Sequence, residues 1–377
     1  MYIQRNKTKN PNGKEYISTM LCEKYRVKGD KNPKTRTLLN ISHLPEDVIM
    51  SIESTLKSKK EAVVKLADIQ VEEVVDFGYF FVINKLMEDL KINSVLEKSL
   101  PAPIVKLVKI MIVGILISTN SKLGILNWLQ REEFVAKIFD IESKKLTEKD
   151  FYNALTVLNL HKLEIDKKWF RHHNFQGNSI YLYDITSSYF EGVQNELAAF
   201  GYNRDGKKGK MQICIGLVTD NEGFPLKIDV FKGNTNDSET VENQIEALRK
   251  DFGIEDIIFV GDEHCFRNLK SDLISMHLLN NCNQETIIGH AQICFFAYSI
   301  IKSMENKLLP FLLDYNKQNK TKLSFNDLVA ELQNIKLCKL RIGRKSGVLQ
   351  FPKLNDLQTN LFQIFKLNPN DMTSVII

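Results

Sequence analysis

The sequence predicts an α/β protein: a mixed sheet with flanking helices, preceded by a helical domain and a small basic β region. Three observations predict it. Apolar residues recur at helical spacing from about residue 72 to 165, with Phe77, Phe80, Phe81 and Leu86 opening one stripe. From Ser179 the period changes to that of strands, in the order strand, hairpin, helix, strand. Before residue 40 apolar and basic residues alternate loosely around turn signals at Asn12-Gly13 and Gly29-Asp30. The divisions this suggests are 1–60, a basic β/helix region; 61–175, helical; 176–280, the sheet; and 281–377, C-terminal helices and a hairpin.

Taken in order, the first region reads as strands at Tyr16 to Leu21, Tyr25 to Val27 and Thr35 to Leu39. Pro45-Glu46-Asp47 opens a helix, with proline and acids in its first turn. Pro101 and Pro103 punctuate the chain before a helix from Ile104 to Thr119, and Leu146-Thr147-Glu148-Lys149-Asp150 starts another. Ile180 to Asp184 is a strand ending in an acid, followed by a Gly-, Asn- and Lys-rich loop to Lys210. Met211 to Thr219 and Phe224 to Phe231 form a hairpin about Asp220-Asn221-Glu222-Gly223. Asn236-Asp237-Ser238 caps a helix to Phe252. Ile257 to Val260 is a buried strand running into Asp262 and Glu263. Phe266, Leu269, Leu273 and Met276 then give a helical stripe, with Glu263, Arg267 and Lys270 on a neighbouring polar face. His290 to Met304 is a buried helix that Pro310 breaks; a helix from Phe325 and a hairpin from Leu337 to Phe351 follow.

Composition narrows the function. Hydrophobic content of 43% and charged content of 26% are those of a globular chain. The net charge of +5 is unevenly placed: residues 1–36 hold ten Lys/Arg against three acids, a local +7. A basic end suits a polyanion, and a solvated basic hairpin explains the same residues. The six cysteines form no Cys-x-x-Cys pair and read as small core hydrophobes of a reducing compartment. His172-His173 alone is a poor metal signal, and the apolar run Ile110 to Ile117 is too short to span a bilayer. No secretory signal is read at Met1, and no membrane partner is expected.

The chemistry centres on carboxylates. Asp184, beside Thr186, Ser187 and Ser188, could start a turn. A second acid, Asp262, ends a strand able to lie beside it in one sheet. Such oxygen donors suit Mg²⁺, and a pair of ions about 3.5–4 Å apart clamps the oxygens of an in-line phosphoryl transfer. A third carboxylate normally completes the set. Candidate phosphate contacts are Arg204, Lys207, Lys208 and Lys210 in the loop, with Arg267 and Lys270 on the last helix; each also reads as an ordinary surface charge.

A resemblance rests on several segments together: Tyr181-Leu182-Tyr183-Asp184-Ile185-Thr186, Gly201 to Lys207, Gly216 to Leu226, and Gly233-Asn234-Thr235-Asn236-Asp237. They resemble bacterial insertion-sequence transposases, DDE enzymes with an RNase H-like catalytic core. Asn120-Ser121-Lys122-Leu123, Trp128-Leu129, the Met1-Tyr2-Ile3 opening and the Leu337 to Phe351 hairpin are similar too, so the resemblance extends over nearly the whole chain. It implies catalytic, metal-holding roles for Asp184, Asp262 and Glu263, the last placed three residues before Phe266-Arg267-Asn268-Leu269-Lys270-Ser271. It implies a DNA contact for Lys270, and Mg²⁺ or Mn²⁺ as cofactor. The implied partner is double-stranded DNA, as element ends and target, in a bacterial cytoplasm at the nucleoid. A homodimer on paired ends is also implied. The reaction would be cleavage of the element's end, then attack of the freed 3′-OH on target DNA.

One departure stands out. The family carries a strand, a helix and a largely β insertion between the second aspartate and the glutamate, whereas Asp262 and Glu263 are adjacent here. Asp256 and Phe259 stand where the family has Tyr and Arg, and the usual Arg-Gly after the second aspartate is absent. An in-frame internal deletion accounts for this and implies a truncated RNase H-like core. Consecutive strand residues face opposite ways. Three functions therefore stay open: a DDE transposase, a catalytically dead remnant that still binds DNA, and a metal-dependent nuclease without strand transfer.

Overall fold

The computed structural model describes residues 1–9, 15–26, 33–57, 69–117, 121–173, 180–189, 195–201, 209–254, 257–261, 283–342, 345–350 and 352–368. The chain divides into two units, Met1–Glu72 with Lys339–Gln350, and Glu73–Cys338 with Phe351–Ile377.

The first unit begins with β1 (Tyr2–Lys9), β2 (Glu15–Tyr25) and β3 (Lys34–Asn40), an antiparallel sheet with β2 in the middle. The first strand was not expected, and β2 runs unbroken to Tyr25, so no separate strand begins there. Both departures have one cause. Most of β1 and the ends of β2 are exposed, so no buried face imposes a period-two pattern on the sequence. Helix α1 (Glu46–Lys57) starts at its acids as expected. Arg5 donates to Glu46 at 2.9 Å and Glu53 at 2.8 Å on that helix.

The residues expected to be helical from 72 begin instead as a strand, β4 (Ile69–Asp76). Its β-branched residues Ile69, Val71, Val74 and Val75 carry β propensity. A helical array follows: α2 (Phe77–Asp89), α3 (Ile92–Glu97), α4 (Ala102–Ile117), α5 (Lys122–Arg131), α6 (Glu133–Ile138), α7 (Glu148–Leu160) and α8 (Lys162–His173). Phe77 and Phe81 stack at 5.6 Å inside it, and α4 is buried along most of its length. Asp150 closes the start of α7 by accepting from the Thr147 backbone and hydroxyl, each at 2.8 Å.

Strands β5 (Ile180–Tyr189), β6 (Gln212–Thr219) and β7 (Pro225–Lys232) then form an antiparallel meander. Helix α9 (Asp237–Phe252) crosses back to β8 (Ile258–Gly261), which pairs parallel with β5. The sheet order is β7-β6-β5-β8. One face packs on α8 and α9 through Phe170, Tyr181, Tyr183, Val218, Leu226 and Leu248. The remaining elements are α10 (Gln284–Asn319), α11 (Phe325–Gln333), β9 (Lys336–Ile342), β10 (Lys345–Gln350) and α12 (Asp356–Ile364), with a third sheet of order β10-β9-β4.

Pro310 does not break α10, which runs through it for 36 residues. The lost hydrogen bond and ring clash cost about 3 kcal/mol. Upstream burial from Thr286 to Leu308, against α4, α7 and β7, offsets this. This helix is long and apolar enough to cross a membrane, but 89% of its apolar window is buried within the protein. As expected, Cys22, Cys214 and Cys294 are buried thiols; Cys338 is half-buried, and Cys265 and Cys282 lie outside the described residues.

Candidate active site

The mixed sheet positions Asp184. β5 does not end at this acid but continues five residues to Tyr189. Thr186, Ser187 and Ser188 form no turn; they are buried and paired with Ile215, Cys214 and Ile213 of β6. The long, fully buried β6 imposes strand geometry on hydroxyl residues whose local preference is a turn.

Alternation along β5 sends Tyr181 and Tyr183 into the core beneath α8 and α9. Asp184, with its neighbours Leu182 and Thr186, therefore belongs to the opposite face of the sheet. Its cross-strand partner is Leu217, and Asp184 itself is only 9% exposed. A carboxylate desolvated to this degree is held for a reason other than solubility.

The parallel pairing of β5 with β8 runs Ile180↔Ile258, Tyr181↔Phe259, Leu182↔Val260 and Tyr183↔Gly261. In the sequence an aspartate follows each of the last two residues, Asp184 after Tyr183 and Asp262 after Gly261. Asp262 and Glu263 lie outside the described residues, as do Arg204, Lys207, Lys208, Arg267, Lys270 and the helix expected through Met276. Among the described residues β8 is an edge strand four residues long, and its Ile258 and Val260 are exposed by 56% and 42%.

Lys210 is described, exposed, and not near Asp184. The register sets Gln212 opposite Tyr189, five residues along from Asp184, or about 17 Å at strand rise, and Lys210 lies beyond it. At that end the chain is pinned by close backbone approach. Ala199 and Gln212 exchange backbone bonds at 2.9 and 3.0 Å, and Gly233 donates to Leu197 at 2.9 Å. A Cβ on Gly233 would stand 1.8 Å from the Gln212 carbonyl oxygen, so only glycine fits there. Gly201 and Gly233, quoted above as motif residues, thus serve the return of the loop onto β6.

The donor chemistry fits a hard cation. Asp184 offers carboxylate oxygens, the ligand type Mg²⁺ and Mn²⁺ take. Among the described residues no three His, Cys, Asp or Glu side chains are grouped to hold a metal. His173 is a packing residue. Its ring lies 4.1 Å from that of Trp169, and its Nε2 is 3.0 Å from the Leu90 carbonyl.

A charged network that sequence reasoning missed lies on the other face. Lys227 contacts Asp229 and donates to Gln244 at 3.0 Å; Gln244 donates to Asp229 at 2.7 Å. From α8, Lys162 bridges Asp166 and Asp229, the latter at 3.2 Å. Burial pushes the Lys227 ammonium down to about 7; the Lys162 charge acts the same way, and Asp166 and Asp251 oppose it. The Lys-x-Asp alternation on β7 and the four-residue step from Lys162 to Asp166 were the available signals.

No curated protein and no solved structure matches the chain significantly. Residues 3–67 match the family described as IS1634 family transposase, N-terminal domain. That stretch takes in β1 to β3 and α1. Over those residues the N-terminal end of this chain is similar to the N-terminal domain of IS1634 family transposases.

Proposed function

We propose that the protein is an insertion-sequence transposase whose truncated RNase H-like core, over 176–280, acts on DNA through Asp184, Asp262 and Glu263. The observation that carries this reading is the parallel register ending at Tyr183 opposite Gly261, because an aspartate follows each in the sequence. The strand order, with a helix crossing from the meander to a parallel fourth strand, is what the resemblance to RNase H-like enzymes leads one to expect. The matched N-terminal domain supports the same family from an independent stretch of chain.

In this reading the three carboxylates hold Mg²⁺ or Mn²⁺, which when bound stabilises charge on the attacking and leaving oxygens of a phosphodiester. Asp184 supplies an ionisable ligand on a buried, rigid strand, so its position costs little reorganisation. The hydroxyl and apolar neighbours on β5 and β6 keep bulk water from its flank. Arg204, Lys207, Lys208, Arg267 and Lys270 are proposed to bind phosphates without reading bases.

A second reading, a DNA-binding remnant that no longer cleaves, is favoured by β8. A four-residue edge strand with exposed Ile258 and Val260 is the edge a further strand would cover. The adjacency of Asp262 and Glu263 points the same way. The test is cleavage of duplex DNA from both flanks of the gene, with Mg²⁺ or Mn²⁺, by the protein and by Asp184→Ala. Metal-dependent cleavage that Asp184→Ala abolishes supports the active enzyme. Cleavage no greater than that of Asp184→Ala rejects it and leaves the remnant.

A further inference from the structure

The three strands of the N-terminal sheet are staggered. β1 pairs with β2 from Glu15 to Cys22, whereas β3 pairs with it from Met20 to Tyr25. Glu23, Lys24 and Tyr25 therefore pair with Arg36, Thr35 and Lys34 alone, a two-stranded ribbon projecting past β1. With Arg26 the ribbon holds four cations, Lys24, Arg26, Lys34 and Arg36, against one carboxylate, Glu23. All four cations are exposed.

Alternation divides them between two faces. Lys24 and Thr35 share one; Tyr25, Lys34 and Arg36 share the other. The Arg36 Nε and Nη2 both donate to Glu23 Oε2, at 3.0 and 2.6 Å, and the guanidinium sits 5.6 Å from the Tyr25 ring centroid. The Lys24 ammonium lies 5.8 Å from the centroid of Tyr2. Aromatic rings thus brace two of the cations. Arg5, by contrast, is engaged by Glu46 and Glu53.

We propose that the β2/β3 ribbon is a DNA-contacting element that enters a groove of duplex DNA, a proposal resting on the reading of this protein as one that works on DNA. A flat anionic surface, such as a lipid bilayer, engages one face of a ribbon. Cations on both faces match a groove, whose two walls are lined by phosphates, and a two-stranded ribbon fits the major groove, about 12 Å wide. Glu23 acts as a built-in competitor, holding Arg36 until a phosphate replaces it.

The test uses the full-length protein and a random-sequence 30-bp duplex in EDTA, with affinity followed against salt by fluorescence anisotropy. Each phosphate contact contributes about 0.9 to the slope of log K against log salt. The variant Lys24→Ala/Arg26→Ala/Lys34→Ala/Arg36→Ala is expected to lose about 3 to 4 of that slope. Glu23→Gln is expected to bind about twofold to threefold more tightly, a gain that misfolding cannot imitate. An unchanged slope in the fourfold variant, no gain in Glu23→Gln, or binding to anionic vesicles but not to duplex each overturns the proposal. Binding is read in EDTA and cleavage with metal, so binding without cleavage rejects only the active enzyme, and cleavage with an unchanged fourfold-variant slope rejects only the ribbon.

Discussion

Acidifying the protein should cost stability through His173, by an amount the structure allows to be worked out. The imidazole is wedged between Trp169 and Phe224, at 4.1 and 5.0 Å between ring centroids. Burial pushes its pKa from 6.5 to about 4; the Leu90 carbonyl bond opposes this and the charge of His172 adds to it. The folded-state value is the lower one, so the contribution to stability is complete above pH 6.5. It drains away as the pH falls toward 4, because the unfolded chain takes up a proton that the folded one refuses. At about 1.4 kcal/mol per pH unit the ceiling is about 3 kcal/mol, and partial solvent contact reduces it to about 2. The assay is urea unfolding of the protein and of His173→Gln at several pH values from 7 to 4.5. His290, also lowered by burial, and the carboxylates titrate in both proteins and cancel in the difference. The two curves of stability against pH should converge by about 2 kcal/mol toward the acid end. Parallel curves would refute the assignment of His173 as a neutral, buried ring.

In Gly289→Ala a Cβ would meet the Leu155 carbonyl oxygen at 2.3 Å, so α10 and α7 must part. A loss of about 1–3 kcal/mol in urea unfolding is expected, and a change below about 0.5 kcal/mol would contradict the close crossing. Lys227, held near 7 by burial, releases its proton in the folded state while the unfolded chain keeps it to about 10.5. Stability should therefore rise from pH 7 to 9, and Lys227→Met should flatten that rise; an equal slope in the variant would reject it.

Legibility varied with what a residue's neighbours in sequence could reveal. The β6–β7 hairpin was read almost residue for residue because its turn is local. Asp220 accepts from the Glu222 and Phe224 amides at 2.9 and 2.8 Å, and Gly223 takes a φ of +79°. The Thr147-to-Asp150 helix start was local too. β1 was missed because Arg5 to Lys9 are exposed. Pro310 misled because the burial that carries α10 through it comes from distant elements. At the site, Asp184 stood out as a strand acid, but its strand's length depended on β6, thirty residues on. The Lys227 network joins residues from three elements, and no single window of sequence contains it.

The placement of α10 sets the timing of biosynthesis. It packs against α4, α7 and β7, so the core around α4 waits for a partner encoded more than 160 residues downstream. At a translation rate of about 5–20 residues per second, the face of α4 that meets α10 stays uncovered for roughly ten to thirty seconds after α4 is made, although α2, α3, α5 and α7 cover its other sides sooner. The nascent chain is therefore a natural chaperone client. A message cut short before the codon for Gln284 yields a product fit for proteolysis rather than partial function.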